Sequence, residues 1–237
     1  MHHLAPGLCA FALLVVAAPA GEPKKPAYEP ASHYAQQNIR GWTVYVHRAL
    51  LDEHKQLGER ALELLSVKLY DIRRAVPAKA VEKLQQVPIW LEHNNPKVRC
   101  ACFHPSKDWL ESHGFNPQKA EAVEIGNAET FLKWTREQPS MVLHELAHAY
   151  HWRFLGGYDN PEIAAAFRRA AAAKTYESVL YYTGQKKRAY AANNPQEYFA
   201  ELTEAWFGAN DFYPFVRAEV LDHDPETAKL LGKLWQE

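Results

Sequence analysis

The stretch MVLHELAHAYH, residues 141–151, sets His144, Glu145, His148 and His151 into a run that is otherwise apolar. Burying three imidazoles and a carboxylate is unfavourable unless each finds a partner. The apolar flanks predict a helix from Ser140, a plausible N-cap, to about Leu155, stopped by Gly156-Gly157. On a helix, residues four apart project from one face at neighbouring turns, so His144 and His148 can grip one Zn2+. Glu145 then faces the open coordination position, where a water sits. His151 lies two turns from His144, beyond the reach of a metal held between His144 and His148. It is expected to line the cleft. Position 151 would be Gly and position 154 His in a metzincin; here they are His151 and Phe154, so that pattern fails.

A partner for the two histidines lies downstream, in YAANNPQEYFAELTEAWF, residues 190–207. Glu197, Glu201 and Glu204 are spaced i, i+4, i+7, one face of a helix capped by Asn194 with Pro195 at its first position. A solvated charged face is the usual fate of such a stripe. It fits poorly beside Tyr198, Phe199, Trp206 and Phe207. Two His and one Glu on a metal, with the next carboxylate orienting a histidine's other nitrogen, account for the pattern.

HELAH followed by Y-A-A-x-N-P-x-E-Y-F-A-E resembles the gluzincin metallopeptidases of the anthrax lethal factor catalytic domain, and equally the Mlc titration factor peptidases. The resemblance implies zinc ligands His144, His148 and Glu197, with Glu145 as general base. It further implies Tyr190 as a transition-state hydroxyl and Glu201 behind a ligand histidine. Its specific part covers residues 139–207. Over residues 41–135 only the order of elements agrees, a sheet with an edge strand ahead of the active-site helix.

The remainder of the 237 residues sets the context. Acidic and basic residues nearly balance, 28 against 27, for a net charge of −1. That argues against nucleic acid or an anionic membrane as the main partner. Residues 1–20 read as a signal peptide: the apolar run Leu8–Ala18 is shorter than the ~20 residues a membrane span needs. It ends in the small-x-small pattern Ala18-Pro19-Ala20. A secreted protein, extracellular or periplasmic, is expected after cleavage near Ala20. Residues 21–40, rich in Pro and polar groups, read as a flexible lead-in. Cys100 and Cys102 lack the spacing of a structural zinc site and read as small buried thiols.

Strands are expected at 42–46, 87–91, 98–103 and 122–125, with Pro88 either placing 87–91 at a sheet edge or marking where that strand begins. Helices are expected at 52–75, 78–86, after Pro161, and at 195–207, 215–221 and 225–235, with a hairpin around Thr183-Gly184. Residues 41–237 should therefore form one α+β domain in two lobes: a small mixed sheet with the active-site helix, then a mainly helical lobe. Under the resemblance it is zincin-like. The expected function is a secreted zinc metallopeptidase acting on a peptide or protein that lies extended along 87–91 by strand addition. The alternative is a zinc-binding protein-interaction module with little or no peptidase activity.

Overall fold

Alternating burial defines the first sheet strands. In β2 (Trp42–His47), Trp42, Val44 and Val46 are fully buried while Thr43, Tyr45 and His47 are partly exposed. The computed structural model describes residues 28–236, so the expected signal peptide and cleavage point lie outside the described residues. β1 (Tyr34–Ile39) pairs antiparallel with β2 along its whole length through a turn in which Arg40 and Gly41 take φ of 54° and 101°. Residues 34–39 are thus a strand, correcting the expectation of a flexible lead-in there. Polar side chains give little periodicity, but an edge strand is held through its backbone bonds to a single neighbour.

α1 (Lys55–Ala75) buries Ala61, Leu65, Leu69 and Ile72 at helical spacing and ends at Val76-Pro77. Next come α2 (Ala78–Leu84), β3 (Ile89–Leu91), β4 (Ala101–His104), α3 (Lys107–Ser112), β5 (Ala122–Ile125) and α4 (Ala128–Trp134). Ser106 and Asn127 cap the two short helices α3 and α4, which sequence periodicity did not reveal. α5 (Met141–Phe154) and α6 (Pro161–Ala173) follow, then a small hairpin of β6 (Val179–Leu180) and β7 (Lys186–Lys187). The chain closes with α7 (Pro195–Phe207), α8 (Arg217–His223) and α9 (Pro225–Gln236). The architecture is α+β with a small mixed sheet. Among the described residues no helix is long and apolar enough to cross a membrane.

The five-stranded sheet runs β1-β2-β3-β5-β4, with β2, β3 and β5 parallel and the two outer strands antiparallel to their neighbours. β3 is therefore the middle strand, not an edge. Pro88 precedes the strand, and it takes part only through its carbonyl, which accepts from the Val123 amide at 3.0 Å. The free edges belong to β1 and β4.

The two faces of the sheet differ in chemistry. Val44, Val46, Ile89, Leu91, Val123 and Ile125 meet the helices in the main core. On the opposite face Tyr45 stacks on Trp90, and Lys119 reaches in beneath a short turn, 4% exposed. Its Nζ donates to Glu92 Oε1 at 2.5 Å and Glu124 Oε1 at 2.7 Å, over the rings of Trp90 and Tyr34. Two buried carboxylates share one cation. Lys119→Met would leave both uncompensated and should lower stability by ~3–5 kcal/mol in urea unfolding. Adding Glu92→Gln should recover part of that loss; a Lys119→Met protein within 1 kcal/mol of wild type would contradict this balance.

Candidate metal centre

α5 is positioned by contacts at both ends. Ser140 does not cap it. Its Oγ instead donates to Ala209 O at 2.8 Å and accepts from Ala209 N at 3.0 Å, tying the start of α5 to the chain leaving α7. Gly208 is needed there, since a Cβ would stand 2.5 Å from Ser140 Oγ. At the other end Gly156 and Gly157 take φ of +84° and +86° and turn the chain out of the helix. In between, every residue from Met141 to His151 is buried. α7 starts where Asn194 Oδ1 accepts from the Glu197 amide at 2.8 Å with Pro195 in the first turn, and it packs along α5.

That packing brings three ligand-type atoms to one point. His144 Nε2 and His148 Nε2 are 3.1 Å apart, and Glu197 Oε2 lies 3.1 Å from the first and 3.2 Å from the second. Burial works against a charged imidazole at His144, but its hydrogen bonds to Glu197 and Glu204 and their charges prevail and lift its pKa well above the ordinary range. Burial likewise opposes a charged Glu197, yet His144 and His148 hold its carboxyl far below the ordinary carboxylate range. The cluster demands positive charge. Two imidazole nitrogens facing one carboxylate oxygen are the donor types of a zinc site with an open position, so these residues would fit that metal with a cation taking the place of the Nε2 proton.

His144 Nδ1 lies 2.7 Å from Glu204 Oε1, and Glu204 also accepts from Gln138 Nε2 at 2.8 Å. A carboxylate only accepts, so Nδ1 carries a proton towards Glu204, which leaves Nε2 as the nitrogen a metal would take in place of a proton. The carboxylate behind the histidine is thus Glu204, correcting the expectation for Glu201, whose Oε1 stands 3.6 Å away. Helix geometry explains the difference. Seven residues return position 204 to within about 20° of 197, whereas four leave 201 about 40° off. Burial and the charges of Glu204 and Asp211 push the Glu201 carboxyl well above its ordinary range. Asp211 is pushed up to about 6 by burial and Glu204.

His151 does not line the cleft. It is fully buried, edge-on to Tyr158 and Phe199, and neither ring nitrogen has a partner among the described residues. Burial, aided by His148, lowers its pKa to about 4. α7 and the chain after Gly157 close over a helix face that would otherwise be open.

The cluster lies in a cleft of about 1010 Å3 bordered by Ala101, Cys102 and Phe103 of β4 and by Trp134, Tyr190 and Phe212. Glu145 lines it directly. Tyr190, half exposed, has its ring centroid 6.3 Å from that of His144. Sequence reasoning missed Tyr158, which also lines the cleft, 6.4 Å from the His148 ring. Burial and the charges of Glu145 and Glu197 raise its phenol pKa. Its one sequence signal is its place directly after the Gly156-Gly157 turn. Among the described residues Cys100 and Cys102 are free, with Cys100 buried against Met141 Sδ at 3.2 Å. Compared with protein-family models, curated proteins and solved structures, the chain matches none.

Two measurements check these assignments. Glu204→Gln should weaken zinc binding ~10–100-fold in chelator competition, because Nδ1 loses its anionic partner. Glu201→Gln, close in shape to the protonated acid, should change it less than threefold; the reverse order would restore Glu201 to the role. The second concerns His151, whose folded pKa lies below the ordinary 6.5. Its unfolded form takes a proton first as pH falls, so its contribution is complete above about pH 6.5 and lost towards pH 4. That loss is about 3 kcal/mol. His151→Phe should remove this part of the acid-side decline in urea unfolding; an unchanged decline would exclude His151 as its source.

Proposed function

We propose that this chain is a zinc-dependent peptidase of gluzincin type on a zincin-like framework, acting outside the cytoplasm after removal of residues 1–20. One observation carries the reading: His144 Nε2, His148 Nε2 and Glu197 Oε2 converge within 3.2 Å on the floor of a cleft bordered by a free strand edge. Bound there, zinc would supply Lewis acidity toward a carbonyl and lower the pKa of a water. The chain's own groups do the rest. Glu145, in the cleft beside the first ligand, takes the proton of the attacking water and returns it to the leaving amine. Glu204 keeps the proton on Nδ1 of His144, leaving Nε2 free as a ligand. Tyr190 faces the same cleft with a half-exposed hydroxyl that can donate to the developing oxyanion.

A substrate strand would add to the free edge of β4 rather than to 87–91, since β3 is enclosed by β2 and β5. β4, Tyr190 and the two histidines line one cleft, so an extended peptide paired with β4 would enter the cleft that holds the histidines.

The test is cleavage of a peptide library by the zinc-loaded chain, with kcat and KM on one cleaved peptide. Glu145→Gln should lower kcat by ~10²–10⁴-fold with zinc retained. Tyr190→Phe should lower kcat ~10²-fold without changing zinc affinity, and Tyr158→Phe should do less because its phenol is more deeply buried. Cleavage surviving intact in Glu145→Gln, or none by the zinc-loaded wild type, would overturn the reading.

A further inference from the structure

A second group of ligand-type side chains stands on the other face of the sheet. Cys102 pairs directly across the β4–β5 ladder with Glu124, and His104, two residues on, shares that face. His104 Nε2 lies 2.7 Å from Glu124 Oε2 and 3.4 Å from Cys102 Sγ. His104 and Glu124 are buried, and Cys102 is partly exposed at the rim of the cleft. The other carboxylate oxygen of Glu124 is already anchored, accepting from Asn95 Nδ2 at 2.6 Å and Lys119 Nζ at 2.7 Å. Oε2 is thereby aimed at the histidine and the thiol, the support that ligating carboxylates receive in metal sites.

Charge argues in the same direction. Glu92 and Glu124 share the single cation Lys119, which leaves one buried negative charge. A dication with a thiolate at Cys102 brings the sum to zero. Burial and the charges of Glu145 and Glu124 raise the pKa of the Cys102 thiol, the reverse of what a reactive thiolate requires. A cation beside those carboxylates inverts that field.

We propose that Cys102 Sγ, His104 Nε2 and Glu124 Oε2 form a second metal site for Zn2+, with a water from the cleft in the fourth position. Thiolate, imidazole and carboxylate together suit zinc among the common divalent ions. On loading, the thiol proton leaves to solvent and the imidazole proton of His104 moves from Nε2 to Nδ1, so that Nε2 and Oε2 ligate the metal in place of bonding each other. The ion ties the free edge strand β4 to β5, so occupancy stabilises the border of the cleft. This site stands whether or not the chain cleaves peptides.

Cobalt alone is the probe, titrated into the metal-free full chain. The expected result is two equivalents bound, one of them with a sulfur-to-cobalt charge-transfer band in the near ultraviolet. Cys102→Ser should lose one equivalent and the band, while Cys100→Ser keeps both. His148→Ala should lose the other equivalent and keep the band. In the wild type, zinc should slow alkylation of Cys102 by iodoacetamide at least tenfold, read by peptide mapping, which decides the matter should Cys102→Ser not fold. Alkylation at one rate with and without zinc, or a band that persists in a folded Cys102→Ser protein, would overturn the proposal.

Discussion

Five carboxyl groups, those of Glu145, Glu197, Glu201, Glu204 and Asp211, crowd around two imidazoles where α5 meets α7, and the arrangement of the domain's centre follows from keeping them apolar on one side and compensated on the other. Each is handled differently. Glu197 is held ionised by both histidines, Glu204 is bonded to His144 and Gln138, and Glu201 and Asp211 are pushed upward by burial and by Glu204. Such a set is stable only if positive charge stands at the one point where Nε2, Nε2 and Oε2 meet. The tie from Ser140 to Ala209 and the bare Cα of Gly208 hold the two helices in the register that creates this point.

The sheet supplies the second constraint. Across β2, β3 and β5 its helix-facing side is apolar, which fixes which way each strand faces, because a slip of one residue would turn Val44, Ile89 and Val123 to the other side. The opposite side holds Lys119 between two carboxylates and places Cys102, His104 and Glu124 together near the free edge. The helix assembly lines the cleft directly, and the strand assembly reaches it through Cys102 alone.

Local periodicity and punctuation were legible. The helix at 195–207 coincides with its expected span because Asn194, Pro195 and Gly208 mark its limits, and the strand at 122–125 does too. The helix carrying HELAH ends at its two glycines as expected. The strand at 34–39 was hidden because its pairing rests on backbone groups rather than side-chain pattern. Of the two readings of Pro88 the second holds: the strand begins just after it, and a proline ahead of a strand leaves the ladder of an enclosed strand intact.

By itself the sequence determined the chemistry available on each element: two histidines a turn apart, carboxylates at i, i+4, i+7, and two cysteines two residues apart. Those follow from covalent spacing and helix pitch, which are local. Tertiary structure alone decided which groups meet. It set Glu204 rather than Glu201 beneath His144, sealed His151 behind Phe199 and Tyr158, brought Tyr158 to the cleft, and joined Cys102 and His104 to Glu124. The physical reason is that hydrogen bonds and metal ligation are decided over a few tenths of an ångström, and that scale is set by how α7 rolls on α5 and how β4 registers on β5.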